Sequence, residues 1–245
     1  MAAALPPRNI GGTTKALKAA LQAALQARLS RVVVELPAGA RYGVEKAAAD
    51  GSDDPSARGG GAAAPTAATA AVSDRELARL VVAMFAGNGL GIVALFRDGP
   101  AAAAAAKAWG GGAASDCRIT SWDALARLAR LADDAGPGTV LVILNGRLDI
   151  VPHPSPALRD HFTGATSPWT RVLLFRPGPH PGWAGGVLYR QFPDPYVLCR
   201  KARLGPPVRL AEFPDQPPSL DEMDAALRAA SDAEGSTVCA YLYTT

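Results

Sequence analysis

Apolar residues recur along this chain with two different periods. Leu17, Leu21, Leu25 and Leu29 are four apart, with Ala20 and Ala24 beside them. That stripe predicts a helix from about Lys15 to Leu29, capped by Thr13 or Thr14. Val32, Val33, Val34 and Leu36 follow without interruption, as a strand buried on both faces requires. Ser73 and Glu76 have the spacing of a capping box. They precede a helix through Leu77, Leu80, Val81, Met84 and Phe85 that ends at Gly87 or Asn88. Ile92 to Phe96 predicts a second buried strand, and Pro100 opens a helix ending near Trp109. A short strand over Cys117–Thr120 and a helix capped by Ser121 over Trp122–Ala132 come next. A strand over Val140–Leu144 is closed by Asn145-Gly146. A short helix over Ser155–Phe162 and a strand over Val172–Phe175 complete the series.

Strands and helices alternate, and the strands are unbroken apolar runs. The predicted fold class is therefore α/β: a doubly wound, mostly parallel sheet, Rossmann-like and three-layered. Val187–Phe192 and Tyr196–Cys199, divided by Pro193-Asp194-Pro195, predict C-terminal antiparallel additions. Residues 47–72 show no periodicity and read as a disordered low-complexity insert within a single α/β domain spanning 10–215. Residues 216–245 read as a helix–strand extension. Ser219 and Glu222 form its capping box, and Val238–Tyr243 its strand.

Composition tempers the apparent richness of the core. Hydrophobic residues are 49% of the chain, but 51 of the 245 are alanines, which carry little burial energy. No run of 18 apolar residues predicts a transmembrane helix. Cys117, Cys199 and Cys239 are too scattered for a disulfide framework or a zinc site, so each reads as a small core residue. The net charge of +3 is too low for a general nucleic-acid binder, but the charge is uneven. Met1–Lys46 holds seven cations against Glu35 and Glu45, whereas seven acids from Glu212 onward face only Arg228. The start is Ala-rich, basic and free of acids until Glu35. This composition matches an organellar transit peptide as well as it matches the first helix.

Candidate chemistry is sparse. Gly87-Asn88-Gly89-Leu90-Gly91 follows a helix and precedes a strand, the reverse of a dinucleotide-binding loop. Neither a P-loop nor a nucleophile elbow is present. His153, His161 and His180 have no ligand spacing, so no metal and no cofactor is expected, and they read as exposed residues, His153 and His180 in Pro-rich loops. In a doubly wound sheet, ligands bind beyond the carboxyl ends of the strands. Arg97, Asp98, Asn145 and Arg176 fall there and form a candidate anion site: two arginines hold the anion, Asn145 orients it and Asp98 offsets the charge. The competing reading makes the same four residues caps, ion pairs and turns. Trp183, in a Pro/Gly-rich loop, and Arg190, Arg200 and Lys201, near aromatic residues, form a candidate interaction surface. Basic residues interleaved with aromatics also fit RNA binding, although a polar sheet edge is commoner.

In order along the chain, several segments resemble a family known as a domain of unknown function, number nineteen-ninety-five. They are Ser30-Arg31-Val32-Val33-Val34-Glu35-Leu36-Pro37; Leu95-Phe96-Arg97-Asp98 with Trp109-Gly110; Val140–Leu144; Arg171-Val172-Leu173-Leu174-Phe175-Arg176-Pro177; and Tyr189-Arg190-Gln191-Phe192 with Tyr196-Val197-Leu198. The chain has Arg176-Pro177 where the family usually has Asn-Pro, and it lacks the family's closing Trp. The resemblance implies an algal or plant plastid setting, in the chloroplast stroma or at the thylakoid. It also implies non-catalytic work like that of assembly factors for photosystem II accumulation. Photosynthetic-complex subunits are then the expected protein partners. No catalytic residues are carried over. Three functions stand open: a plastid accessory protein, a metabolite- or nucleotide-binding domain or enzyme, and an organellar RNA- or ribosome-associated protein.

Overall fold

A computed structural model describes residues 3–37, 67–85, 91–96, 99–109, 117–121, 125–136, 138–146, 148–149, 152–153, 155–177, 186–200, 206–214 and 216–230. In chain order the first elements are α1 (Ile10–Gln26), β1 (Arg31–Glu35), α2 (Ala67–Phe85), β2 (Gly91–Phe96), α3 (Gly99–Trp109), β3 (Cys117–Ser121) and α4 (Leu125–Asp134). They are followed by β4 (Thr139–Leu144), α5 (Pro156–Thr163), β5 (Thr170–Pro177), β6 (Gly186–Gln191), β7 (Tyr196–Arg200), β8 (Val208–Phe213) and a last helix, α6, over 220–230. The chain is mixed α/β and forms two compact units. One comprises Leu29–Thr170; the other comprises Met1–Arg28 with Arg171–Thr245.

The 29–170 unit is built on parallel pairing. Its strands lie in the order β3, β2, β4, β1, with Ile92 opposite Cys117 and Val140, and Val32 opposite Val142. Parallel neighbours need long crossovers, which α2, α3 and α4 supply. The chain passes from β1 to β2 to β3, then returns to insert β4 between β2 and β1. The apolar runs in β1 and β4 follow from burial on two sides, because alternate residues serve opposite faces. Val33, Leu141 and Ile143 join Leu128 and Ala132 of α4, Phe162 of α5, Leu148 and Trp169. Leu144 packs with Ala78 of α2 and with Ala102, Ala105 and Trp109 of α3. The alanine run of α3 therefore has a packing role: Ala105 is wholly buried, and its small side chain lets the helix come close.

The other unit is antiparallel, in the order β5, β6, β7, β8. Phe175 lies opposite Tyr189, Leu188 opposite Leu198, and Leu198 opposite Ala211. One face carries Leu174, Leu188, Tyr196 and Leu198, covered by Met223, Ala226 and Leu227 of α6. Helix α1 buries Leu17, Ala20, Leu21 and Ala24 of the stripe read from its spacing and meets β6; Leu25 is half-buried, and Leu29 lies beyond the helix end at Gln26.

Several boundaries differ from those expected. α1 begins at Ile10, capped by Asn9, whose Oδ1 accepts the Gly12 N–H at 2.8 Å. Thr13 is buried inside the first turn, and its hydroxyl donates to the Asn9 carbonyl. The expected insert over 47–72 lies mostly outside the described residues, but 67–72 are the first turns of α2. Ser73 and Glu76 consequently form no capping box. They sit inside the helix, both fully buried, because an i,i+3 spacing also places two residues on one helix face. Ser121 ends β3, paired with Phe96, and residues 122–124 lie outside the described residues. β8 was not foreseen. A register irregularity at Leu198/Cys199 breaks its pairing, and with it the simple alternation that marks a strand. The expected helix stop at Gly87 or Asn88 and the strand over Val238–Tyr243 lie outside the described residues.

The second capping box does form. The Ser219 N–H and hydroxyl donate to Glu222 Oε2 at 2.7 and 2.8 Å, and the Glu222 N–H donates back to Ser219 Oγ at 3.3 Å. These bonds hold the Glu222 carboxyl below its usual 4.5. A carboxyl depressed on folding contributes stability above its unfolded value and loses it as pH falls through the folded one. Ser219→Ala should therefore lower the urea midpoint at pH 7 and have a smaller effect at pH 3. Paired urea titrations at the two pH values check this.

Candidate functional site

The carboxyl ends of β1 and β4 lie side by side in the 29–170 unit. Beyond β4 the backbone turns at Asn145, whose φ of 51° is left-handed. Asparagine tolerates that conformation better than most residues. The Asn145 N–H donates to the Val34 carbonyl at 2.8 Å. Its Oδ1 accepts the Leu36 N–H at 2.7 Å, and its Nδ2 donates to Asp74 Oδ1 at 2.6 Å. One residue thus fastens the end of β4 to β1 and to α2, and its bond to a carboxylate is of the stronger kind.

Buried polar residues adjoin the clasp's partners along the chain. Ser73 and Glu76 flank Asp74 on α2 and are fully buried, and Glu35, the last residue of β1, is 3% exposed. Ser73 Oγ has no hydrogen-bond partner among the described residues. Sequence reasoning missed all three as site residues. The available signal was an acid closing a run of valines at Glu35.

Of the four residues of the candidate anion site, Arg97 and Asp98 lie outside the described residues. Asn145 is at the carboxyl edge as expected, with both ends of its amide engaged. Arg176 is a half-buried residue of β5 opposite Leu188, and it belongs to the antiparallel unit, not to the unit that holds Asn145. Trp183 and Lys201 of the candidate interaction surface also lie outside the described residues. Arg200 ends β7, opposite Gly186 and Val208.

Arg190 folds back onto its own hairpin. Its Cζ sits 4.5 Å from the ring centre of Tyr196 and 5.9 Å from that of Phe192. Its Nη1 donates to the Tyr196 hydroxyl at 2.9 Å and its Nε to the Asp194 carbonyl at 3.2 Å. Such a stacked guanidinium stabilises a turn by about 0.5–1 kcal/mol. The neighbouring Tyr189 hydroxyl bonds Gln191 Oε1 at 3.0 Å, and burial, then the Asp194 charge, push its phenol well above the usual 10.

Cys199 of β7 is wholly buried, and burial pushes its thiol up to about 11, partly countered by Arg209. An acid whose value rises on folding contributes stability below its unfolded value, and that contribution fades as pH climbs through the folded one. The antiparallel unit should lose stability between pH 9 and 11. Guanidinium midpoints at pH 8 and pH 11 test this, and a Cys199→Ala chain should show a smaller drop.

Two histidines read as exposed are half-buried instead, because both flank one phenyl ring. His153 stacks on Phe162 at 6.2 Å between ring centres, and its Nε2 lies 2.6 Å from the Leu148 carbonyl oxygen. His161 meets Phe162 edge-on at 4.9 Å. His180 is outside the described residues. Among the described residues no three His, Cys, Asp or Glu side chains gather as metal ligands, and no helix is long and apolar enough to cross a membrane.

The profile of one protein family, described as Domain of unknown function (DUF1995), matches residues 7–225. No curated protein and no solved structure matches the chain.

Proposed function

The chain belongs to the DUF1995 family, and from that membership we propose that it is a non-enzymatic plastid accessory protein. On this reading it acts through protein contacts in the assembly of photosynthetic complexes, in the chloroplast stroma or at the thylakoid. One observation carries the reading. Among the described residues, the large apolar side chains left exposed are Leu5, Ile10, Val208 and Leu220, and all four belong to the antiparallel unit. Exposed large apolar side chains suit a contact surface better than a catalytic cleft. The Asn145 amide supports the same view, since the residue proposed to orient a ligand uses both its oxygen and its nitrogen to fasten β1, β4 and α2. The parallel unit reads as half of a doubly wound, Rossmann-like fold that serves here as a scaffold, because its strand order reverses after β3.

Affinity capture from chloroplast extract is the test. Photosynthetic-complex subunits should be retained by the native chain and lost with Ile10→Asp combined with Val208→Asp. Retention of ribosomal proteins, or equal retention by the variant, would count against the reading.

A second reading rests on Ser73. A fully buried hydroxyl without a partner among the described residues, beside the Asp74–Asn145 bond, favours a small polar metabolite at the carboxyl edge. A thermal-shift screen with phosphorylated metabolites and nucleotides, repeated on Ser73→Ala, separates the two. A shift present in the native chain and absent in the variant supports the metabolite.

A further inference from the structure

Residues 3–7 form no helix or strand, yet Ala3 and Pro6 are buried. Ala3 is 6% exposed and packs on Val197 and Cys199 of β7. The peptide unit between Ala3 and Ala4 is held at both its polar atoms. The Ala4 N–H donates to Asp194 Oδ2 at 2.8 Å, and the Arg209 guanidinium donates to the Ala3 carbonyl. Farther along, the segment presses on α1, where a Cβ at Gly12 would meet the Pro7 Cβ at 3.0 Å. Leu5, between the two buried residues, is exposed.

This contact has the chemistry of a peptide site. A floor of Val197 and Cys199 takes a methyl group. A carboxylate accepts the next N–H, and a guanidinium donates to the carbonyl. Both polar anchors read main chain, so any extended segment with a small residue followed by a residue bearing an N–H satisfies them. Arg209 also pairs with Glu212, which orients the guanidinium independently of the segment it holds.

We propose that this face of β7 and β8 is a groove for an extended peptide carrying an alanine-sized residue, closed in cis by Ala3–Ala4. A peptide of that chemistry from another molecule replaces the strap once it is released. The cis segment raises the local ligand concentration, so the groove is open to others only when the strap is weakened.

Cys199 lies beneath the strap and reports on it. In the full-length chain, alkylation at Cys199 is followed by peptide mass spectrometry, which separates it from Cys117 and Cys239. Ala3→Arg, too large for the floor, should speed labelling about tenfold or more, whereas Ala3→Gly should keep the native shielding. Ala4→Pro removes the N–H that Asp194 accepts without adding bulk over Cys199, so it should also speed labelling even if Ala3→Arg fails to fold. An acetylated peptide with the sequence of residues 3–9 should restore shielding in either variant, and the same peptide with Arg at its first position should not. Labelling unchanged in both variants, or acceleration that no peptide reverses, overturns the proposal.

Discussion

Replacing Phe162 by alanine should cost about 3–5 kcal/mol of folding stability, the usual loss for emptying a fully buried aromatic site. Phe162 is 2% exposed and lies among Leu128, Leu141, Ile143, Leu148 and Trp169. Its ring is 5.9 Å from that of Trp169, and His153 and His161 flank it. Truncation therefore removes transfer energy, leaves a cavity and releases three aromatic neighbours together. Since whole domains are stable by only about 5–15 kcal/mol, this one change should remove a large share of the stability of the 29–170 unit. Phe162→Leu, which keeps most of the volume, should lose much less. Equilibrium unfolding in urea, read by tryptophan fluorescence, gives both numbers. A loss below about 1 kcal/mol for Phe162→Ala would mean that this ring does not hold α4, α5 and the sheet together.

Asn145→Ala should cost about 2–5 kcal/mol through two separable effects. The Leu36 N–H loses its acceptor, and an orphaned buried donor costs about 1–3 kcal/mol. Alanine is also strained in the left-handed region, by about 1–2 kcal/mol. Leu36 is 4% exposed, so water cannot readily replace the lost acceptor. Asn145→Gly separates the two, because it removes both side-chain bonds yet relieves the backbone, and it should fall between the native chain and the alanine variant. Asn145→Asp keeps an acceptor for Leu36 but sets a second carboxylate against Asp74. Its deficit should shrink as pH falls and one of the pair takes a proton. Urea midpoints at pH 7 and pH 4.5 check the series. Equal losses for Ala and Gly would remove the backbone contribution. A flat pH response for Asp would remove the electrostatic one.

Two Ser-x-x-Glu spacings in this chain show where reading the sequence succeeds and where it stops. At Ser219 and Glu222 the residues are exposed, and the box forms as the spacing predicts. At Ser73 and Glu76 the same spacing lies inside a longer helix, and both residues face the interior. Locally the two are alike. What differs is whether the preceding segment continues the helix, and the Ala-rich residues 67–72 do. The burial of Glu35, Ser73 and Glu76 was not legible for a related reason, since burial is a property of packing rather than of residue type.

The order and kind of most elements were legible, because periodicity is a local property. The leucines of α1, the valines of β1 and the run of β4 each identify their element within a few residues. Asn145-Gly146 was also legible as a turn, and Asn145 as a strand-end residue. The partners of Asn145 were not, for Leu36 is 109 residues away and Asp74 is 71. Hydrogen bonds across such separations exist only after the chain has returned from β3 to insert β4 between β1 and β2. That return is set by which apolar faces bury each other best, a sum over the whole unit that no local window contains. The sequence by itself thus determined an α/β chain and its stock of strands and helices. The tertiary structure decided which strands are neighbours, which polar groups are buried, and that Asn145 serves as a clasp.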